Sequence, residues 1–265
     1  MTKAACAVVN ESVRAYQNAF GERLIAAYLL GSLAYGGYSP VVSDIDLAVV
    51  LNDIREGDRE TVATTNESLH AQSDLHRKLS VFWGSLTALR EGRDDGRFPA
   101  LDRLEVADHG KLLFGEDIAN QVARPTSEEL LLESAKFAVD ILASDAVIAE
   151  FHRPRRLLDD AVWFSKAVLF PVRFLYSTRT SGRAATNDEA IDWYLDEPRP
   201  VAASLVRLAA RVRAGHPLDP AELTPELATG LIPLYLHYID VQLPRFQGKT
   251  ADLVTAFTEW RERLA

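Results

Sequence analysis

Two aspartates one residue apart, Asp44 and Asp46, open the apolar run "IDLAVVL". On an extended chain, residues two apart point to the same side, with Cα atoms roughly 6.6–7 Å apart. Carboxylates so placed can converge on one Mg2+, whose oxygen ligands lie at about 2.0–2.1 Å. Such an ion commonly needs only one or two protein carboxylates, because substrate phosphates and water complete its shell. Upstream, "LLGS" ends an earlier apolar run, and eleven residues separate Ser32 from Asp44. Gly31 lets a phosphate approach the backbone without side-chain obstruction, and Ser32 offers a hydroxyl and an N–H. Gly36 and Gly37 allow the loop between the two runs to turn tightly. The chemistry these residues point to is a metal–phosphate site at the wet ends of two buried strands.

Further along, Arg173 sits inside the apolar stretch "VLFPVRFLY". A guanidinium there is costly to bury unless something anionic meets it, and triphosphate oxygens would do so through forked hydrogen bonds. Tyr238, in "LYLHYIDVQL", falls on an amphipathic helical pattern. Asp159 and Asp160 precede the Arg173 helix as an acidic pair able to meet a cationic molecule, and "HRPRR" at 152–156 reads as a surface loop. The six histidines lack ligand spacing for zinc, and no Gly-x-Ser-x-Gly elbow supports a hydrolase.

The elements that must position these residues follow from periodicity. Val9, Val13, Tyr16 and Phe20 give a first helix ending near Gly21. "LIAAYLL" and "IDLAVVL" read as buried strands joined by a Gly-rich loop, and "LSVFW" as a third strand bounded by Gly84. Residues 52–73 are expected to be largely helical, as is the stretch from Ala100 to Gly110, after the loop "EGRDDGRFP". From Pro125 the texture changes to long helical patterns, with Ser127, Glu128 and Glu129 forming a helix start. The expected organisation is a small α/β domain over residues 1–122 and an all-α domain over residues 123–265.

Composition narrows the function classes. The 265 residues are 48% hydrophobic and 25% charged, the profile of a globular protein with a sizeable core. A formal charge of −9 argues against gripping nucleic acid and in favour of drawing in a cationic substrate. Cys6 is the single cysteine, so the sequence holds no internal disulfide and no cysteine cluster for zinc. No apolar run approaches the roughly 18 residues of a membrane span, and no basic region precedes an apolar core at the N-terminus. A cytoplasmic protein without a membrane partner is expected.

The Gly31-Ser32 turn, the spacing and the Asp44-x-Asp46 pair resemble the signature of the polymerase-β-like nucleotidyltransferase superfamily. The stretch "VLFPVRFLYSTRTSGRAATNDEAIDWYL", an apolar helix, a Gly turn and a helix ending in Asp-Trp, extends the resemblance beyond the first domain. With "LYLHYIDVQL" it looks like the helical domain of the aminoglycoside adenylyltransferases that modify streptomycin and spectinomycin. The resemblance implies an N-terminal nucleotidyltransferase fold with a short mixed sheet, a C-terminal helical bundle and an active cleft between them. It implies ATP as co-substrate and Mg2+ held by Asp44 and Asp46, with Gly31 and Ser32 on the nucleotide. It places the family's nucleotide-contacting arginine and tyrosine on Arg173 and Tyr238. The partners it implies are a nucleoside triphosphate and a small, cationic hydroxyl acceptor, toward which Asp159 and Asp160 would face.

Two positions depart from the family pattern. Its general base is a glutamate on the third strand, within a Leu-Glu-Val pattern, and here Ser80 stands there in "KLSVFWGS". A serine does not take a proton unaided near neutral pH. The nearest upstream acid, Asp74, lies about 20 Å away along an extended strand, and Glu91 and Glu105 lie beyond turns. Asn187 stands where the family's nucleotide site carries a lysine. Three outcomes therefore stay open: a base from elsewhere, a substrate that needs no strong base, or a nucleotide-binding regulatory protein that has lost the chemistry. Transfer onto a protein or tRNA is a further reading, and the acidic charge makes tRNA the least attractive acceptor.

Overall fold

The computed structural model describes residues 3–180 and 186–265. The expected turn at Gly182 lies outside the described residues. The chain forms two compact units: residues 1–38 with 43–126, and residues 127–265 with the short segment 39–42. Ser39 Oγ donates to the carbonyl of Arg213 at 2.6 Å, which ties that segment into the second unit. No described helix is long and apolar enough to cross a membrane.

The first unit runs α1 (Lys3–Phe20), β1 (Leu24–Leu30), α2 (Gly31–Tyr35), β2 (Ile45–Leu51), α3 (Asp58–His70), β3 (Leu79–Ser85), α4 (Leu86–Glu91), α5 (Ala100–Asp108) and β4 (Lys111–Gly115). The sheet order is β3-β2-β1-β4, with β2 and β3 parallel and the other pairs antiparallel. Alternation sends Leu47, Val49, Val81 and Trp83 to a core shared with Val9, Val13 and Tyr16 of α1. The opposite face carries Tyr28, Leu30, Ala48, Val50 and Phe82, packed with Phe98 and Val106. A register shift between Leu24 and Ala26 is the irregularity across which β1 changes the face of its side chains.

Two local readings need correcting, and one strand was not anticipated. The stretch after β1 is not an open Gly-rich loop: Gly31–Tyr35 forms one helical turn, and the loop proper begins at Gly36. β3 does not stop at Gly84 but continues to Ser85, because the absent Cβ of Gly84 leaves room for Asp95, whose Oδ1 would lie 3.2 Å from it. That carboxylate accepts from Ser85 N at 2.9 Å and Ser85 Oγ at 2.5 Å. After α5, residues 111–115 form the edge strand β4, whose partly exposed side chains lack the continuous apolar run of β1 and β2.

The second unit is helical: α6 (Ser127–Phe137), α7 (Asp145–Phe151), α8 (Ala161–Arg179), α9 (Asn187–Leu195), α10 (Ala203–Arg213), α11 (Pro220–Phe246) and α12 (Ala251–Leu264). Its core is aromatic where α11 meets α12, with Tyr235, Tyr238, Phe246, Phe257 and Trp260 all buried. Pro171, inside α8, has no N–H for the carbonyl of Ala167 one turn back. The hydroxyl of Tyr235 supplies the missing donor at 2.7 Å.

Candidate active site

Asp44 immediately precedes β2 and Asp46 is that strand's second residue, both half-buried. Asp46 pairs in register with Leu30 at the end of β1 and with Ser80 near the start of β3. Asp46 and Ser80 therefore share the sheet face of Leu30, Ala48 and Phe82 and stand at one end of it. Beside them the chain turns from β1 into α2 at Gly31, whose φ is +63°. A Cβ on Gly31 would lie 2.2 Å from Asp46 Oδ2, so glycine is required twice, for its backbone and for that approach. Ser32 Oγ donates to Ser43 Oγ at 3.2 Å across the loop. Burial and the neighbouring charge of Asp44 push the Tyr38 phenol above its ordinary range.

The sequence-based role of Gly31 needs revision. Its N–H does not point to open space for a phosphate but donates to Glu105 Oε2 at 2.8 Å. The other oxygen of Glu105 accepts from the Tyr35 hydroxyl at 3.1 Å. Glu105, 6% exposed, thus holds both ends of the α2 turn. Its only sequence signal is an acid between Leu104 and Val106 on a helix face that is buried. Of the other acids considered as a base, Asp74 is exposed and pairs with Arg77, and Glu91 is exposed and pairs with Arg93.

Donor chemistry at Asp44 and Asp46 suits a hard divalent cation that keeps water and phosphate ligands. Among the described residues, no three His, Cys, Asp or Glu side chains gather as a metal-binding group. A cation here would accordingly draw on these two carboxylates, with the rest of its shell from phosphate and water.

The flank of Ser80 carries a cation that sequence reasoning missed. Arg97 pairs with β3 through its backbone, exchanging hydrogen bonds with Trp83 at 2.9 and 2.8 Å. Its guanidinium donates to the carbonyl of Val81 at 2.7 Å and lies 4.8 Å from the Phe82 ring centroid. Nη2 stands 3.5 Å from Ser80 Oγ, a long contact.

The remaining candidates belong to the helical unit. Arg173 is half-buried on α8, with no hydrogen-bond or ion-pair partner among the described residues. Asn187 is the first residue of α9, half-buried beside the cap formed by Thr186. Tyr238 is 1% exposed and packs against Phe174, Phe257 and Trp260. Burial pushes its phenol well above the ordinary value. It also lines a cavity of about 80 Å³ with Thr178 and Gln242, whose buried Oε1 has no hydrogen-bond partner among the described residues. Asp159 is exposed, and the carboxylate of Asp160 caps α8 by accepting from the N–H groups of Val162 and Trp163.

No protein-family model matches the chain, and no curated protein matches it. Among solved structures, it resembles spectinomycin adenyltransferase AAD(9) from Enterococcus faecialis, a crystal structure with ATP and spectinomycin. That similarity has a TM-score of 0.58 at 13% sequence identity and covers 97% of this chain and 98% of the other. Such a likeness speaks for fold, and the fold is a nucleotidyltransferase-like mixed sheet domain followed by a helical domain.

Proposed function

We propose that this protein transfers a nucleoside monophosphate, AMP from ATP, to a hydroxyl of a small-molecule acceptor. The observation that carries the reading is the close approach of Gly31 to Asp46, with Asp44 beside it, at one end of a sheet with this fold. Asp44 and Asp46 are the residues that would hold Mg2+, which, when bound, neutralises phosphate charge during transfer. Ser32 is the proposed hydroxyl donor to a phosphate. Arg173, half-buried with no partner among the described residues, is the proposed guanidinium for the triphosphate. Asn187 and Tyr238 complete the proposed nucleotide residues, although the burial of Tyr238 gives it a packing role as well.

In the reaction, the acceptor oxygen forms a bond to the α-phosphorus. The bond from that phosphorus to the bridging oxygen breaks, and pyrophosphate leaves with its electron pair. The hydroxyl proton passes to water, since Ser80 offers no base. A second reading, a nucleotide-binding regulatory protein, is favoured by one observation: a serine and a guanidinium occupy the β3 flank where the resembled enzymes carry glutamate.

The deciding experiment measures ATP binding and pyrophosphate release together. ATP should bind more tightly with magnesium than with EDTA, and Asp44→Asn or Asp46→Asn should remove the difference. Acceptor-dependent pyrophosphate release supports transfer, whereas magnesium-dependent binding with no release from either wild type or Ser80→Glu supports the regulatory reading. Equal magnesium dependence in wild type and both aspartate variants overturns the site.

A further inference from the structure

The strand order divides the surroundings of Asp46 into two flanks. On the β1 side lie Gly31 and Ser32, and on the β3 side lie Ser80 and Arg97. If phosphates lie against the turn that carries Ser32, the β3 side is left for the acceptor.

Arg97 is fixed on that side by its backbone and by its side chain. Gly96 makes the approach possible, because a Cβ there would sit 2.4 Å from the carbonyl of Trp83. The two Trp83 hydrogen bonds then hold the main chain, and Val81 and Phe82 hold the guanidinium. A guanidinium has five N–H donors, and here one is directed at Val81 and one loosely at Ser80. No carboxylate pairs with it among the described residues. A planar, pre-oriented fork with free donors is the side chain best suited to a carboxylate or phosphate. With serine at position 80 the flank lacks the negative charge that a glutamate would bring, so the positive charge of Arg97 stands uncompensated by that position.

We propose that Arg97 is a specificity-determining residue that receives the anionic group of a hydroxylated acceptor, so that the acceptor is a hydroxy-carboxylate or a phosphorylated alcohol rather than a polycation. The inference rests on the transferase reading. The net charge of −9 draws cations to the molecule as a whole, but the local charge beside Ser80 has the opposite sign.

The test titrates the protein, loaded with magnesium and a non-hydrolysable ATP analogue, with four probes: glycerol, glycerol 3-phosphate, glycerate and spectinomycin. Wild type should bind glycerol 3-phosphate or glycerate at least tenfold more tightly than glycerol or spectinomycin. The tighter of the two anions identifies the preferred group. Arg97→Ala should abolish the preference while changing affinity for the ATP analogue less than twofold, and Arg97→Lys should keep part of it. Equal affinity for glycerol and both anions, or a preference that survives Arg97→Ala, overturns the proposal. So does an equal loss of nucleotide affinity in Arg97→Ala, which would put Arg97 on the triphosphate instead. Failure of wild type to bind the magnesium–nucleotide complex at all is a different result and overturns the transferase reading on which the inference stands.

Discussion

Replacing Gly31 with alanine probes the site at its tightest point. An L-residue at φ +63° bears a backbone cost of about 1–2 kcal/mol. The new Cβ would also lie 2.2 Å from Asp46 Oδ2, well inside contact distance. The carboxylate is the end of a side chain and can swing aside, at an off-rotamer cost of about 0.5–1.5 kcal/mol. The combined loss is then about 2–3 kcal/mol, or roughly 30- to 150-fold in an opening equilibrium. Hydrogen exchange of the β2 amides, followed by mass spectrometry, reads the first unit separately from the helical one. Gly31→Ala should speed that exchange by this factor in otherwise wild-type protein. In an Asp46→Ala background only the backbone cost remains, so the acceleration should fall to about tenfold, a coupling near 1 kcal/mol. Magnesium-dependent ATP binding should disappear in the single variant, because its Asp46 carboxylate has been displaced. Identical acceleration in both backgrounds would refute the close approach, and acceleration below about fivefold would refute the strained backbone.

Two further predictions concern charges. Arg173→Ala should weaken MgATP binding by about 1.5–3 kcal/mol, the worth of a charge-assisted hydrogen bond, in a calorimetric titration. Unchanged affinity with a lowered melting temperature would make it a structural arginine. In the first unit, Arg23 donates to both oxygens of buried Asp58, at 3.0 and 2.5 Å. These hydrogen bonds hold the Asp58 carboxyl below its ordinary value of 3.8. Its folded-state pKa is depressed, so the stabilisation is present above pH about 4 and is lost as pH falls through the folded value. The urea midpoint of the first unit should therefore drop below pH 4 in wild type, with a shallower drop in Asp58→Asn. Parallel curves would contradict the linkage.

The strands that carry the site could be read in the sequence because their signal is local. Buried runs such as "LIAAYLL" and "IDLAVVL" announce themselves by composition, and Asp44 and Asp46 stand out as acids at the mouth of one of them. The α2 turn was hidden because a helix of five residues beginning at a left-handed glycine has no periodicity to detect. Strand β4 was hidden by its exposure: five residues with an exposed Leu112 and a half-buried Leu113 lack the continuous apolar run that marks β1 and β2. The partners of the site were illegible for another reason. Glu105 reaches Gly31 across 74 positions, and Arg97 reaches Ser80 across 17, so both contacts arise from tertiary packing alone. The loop "EGRDDGRFP" looked like a connection, yet Asp95 caps the end of β3 and Arg97 extends the sheet's edge.

The most direct test of the nucleotidyl-transfer site is a crystal structure of the protein with a non-hydrolysable ATP analogue and Mn2+, recorded at a wavelength where manganese scatters anomalously. An anomalous peak is expected within about 2.2 Å of carboxylate oxygens from both Asp44 and Asp46, and also of a phosphate oxygen. The triphosphate should lie on the Ser32 side of Asp46. A nucleotide bound with its metal away from these two carboxylates, or an anomalous peak at neither, would contradict it.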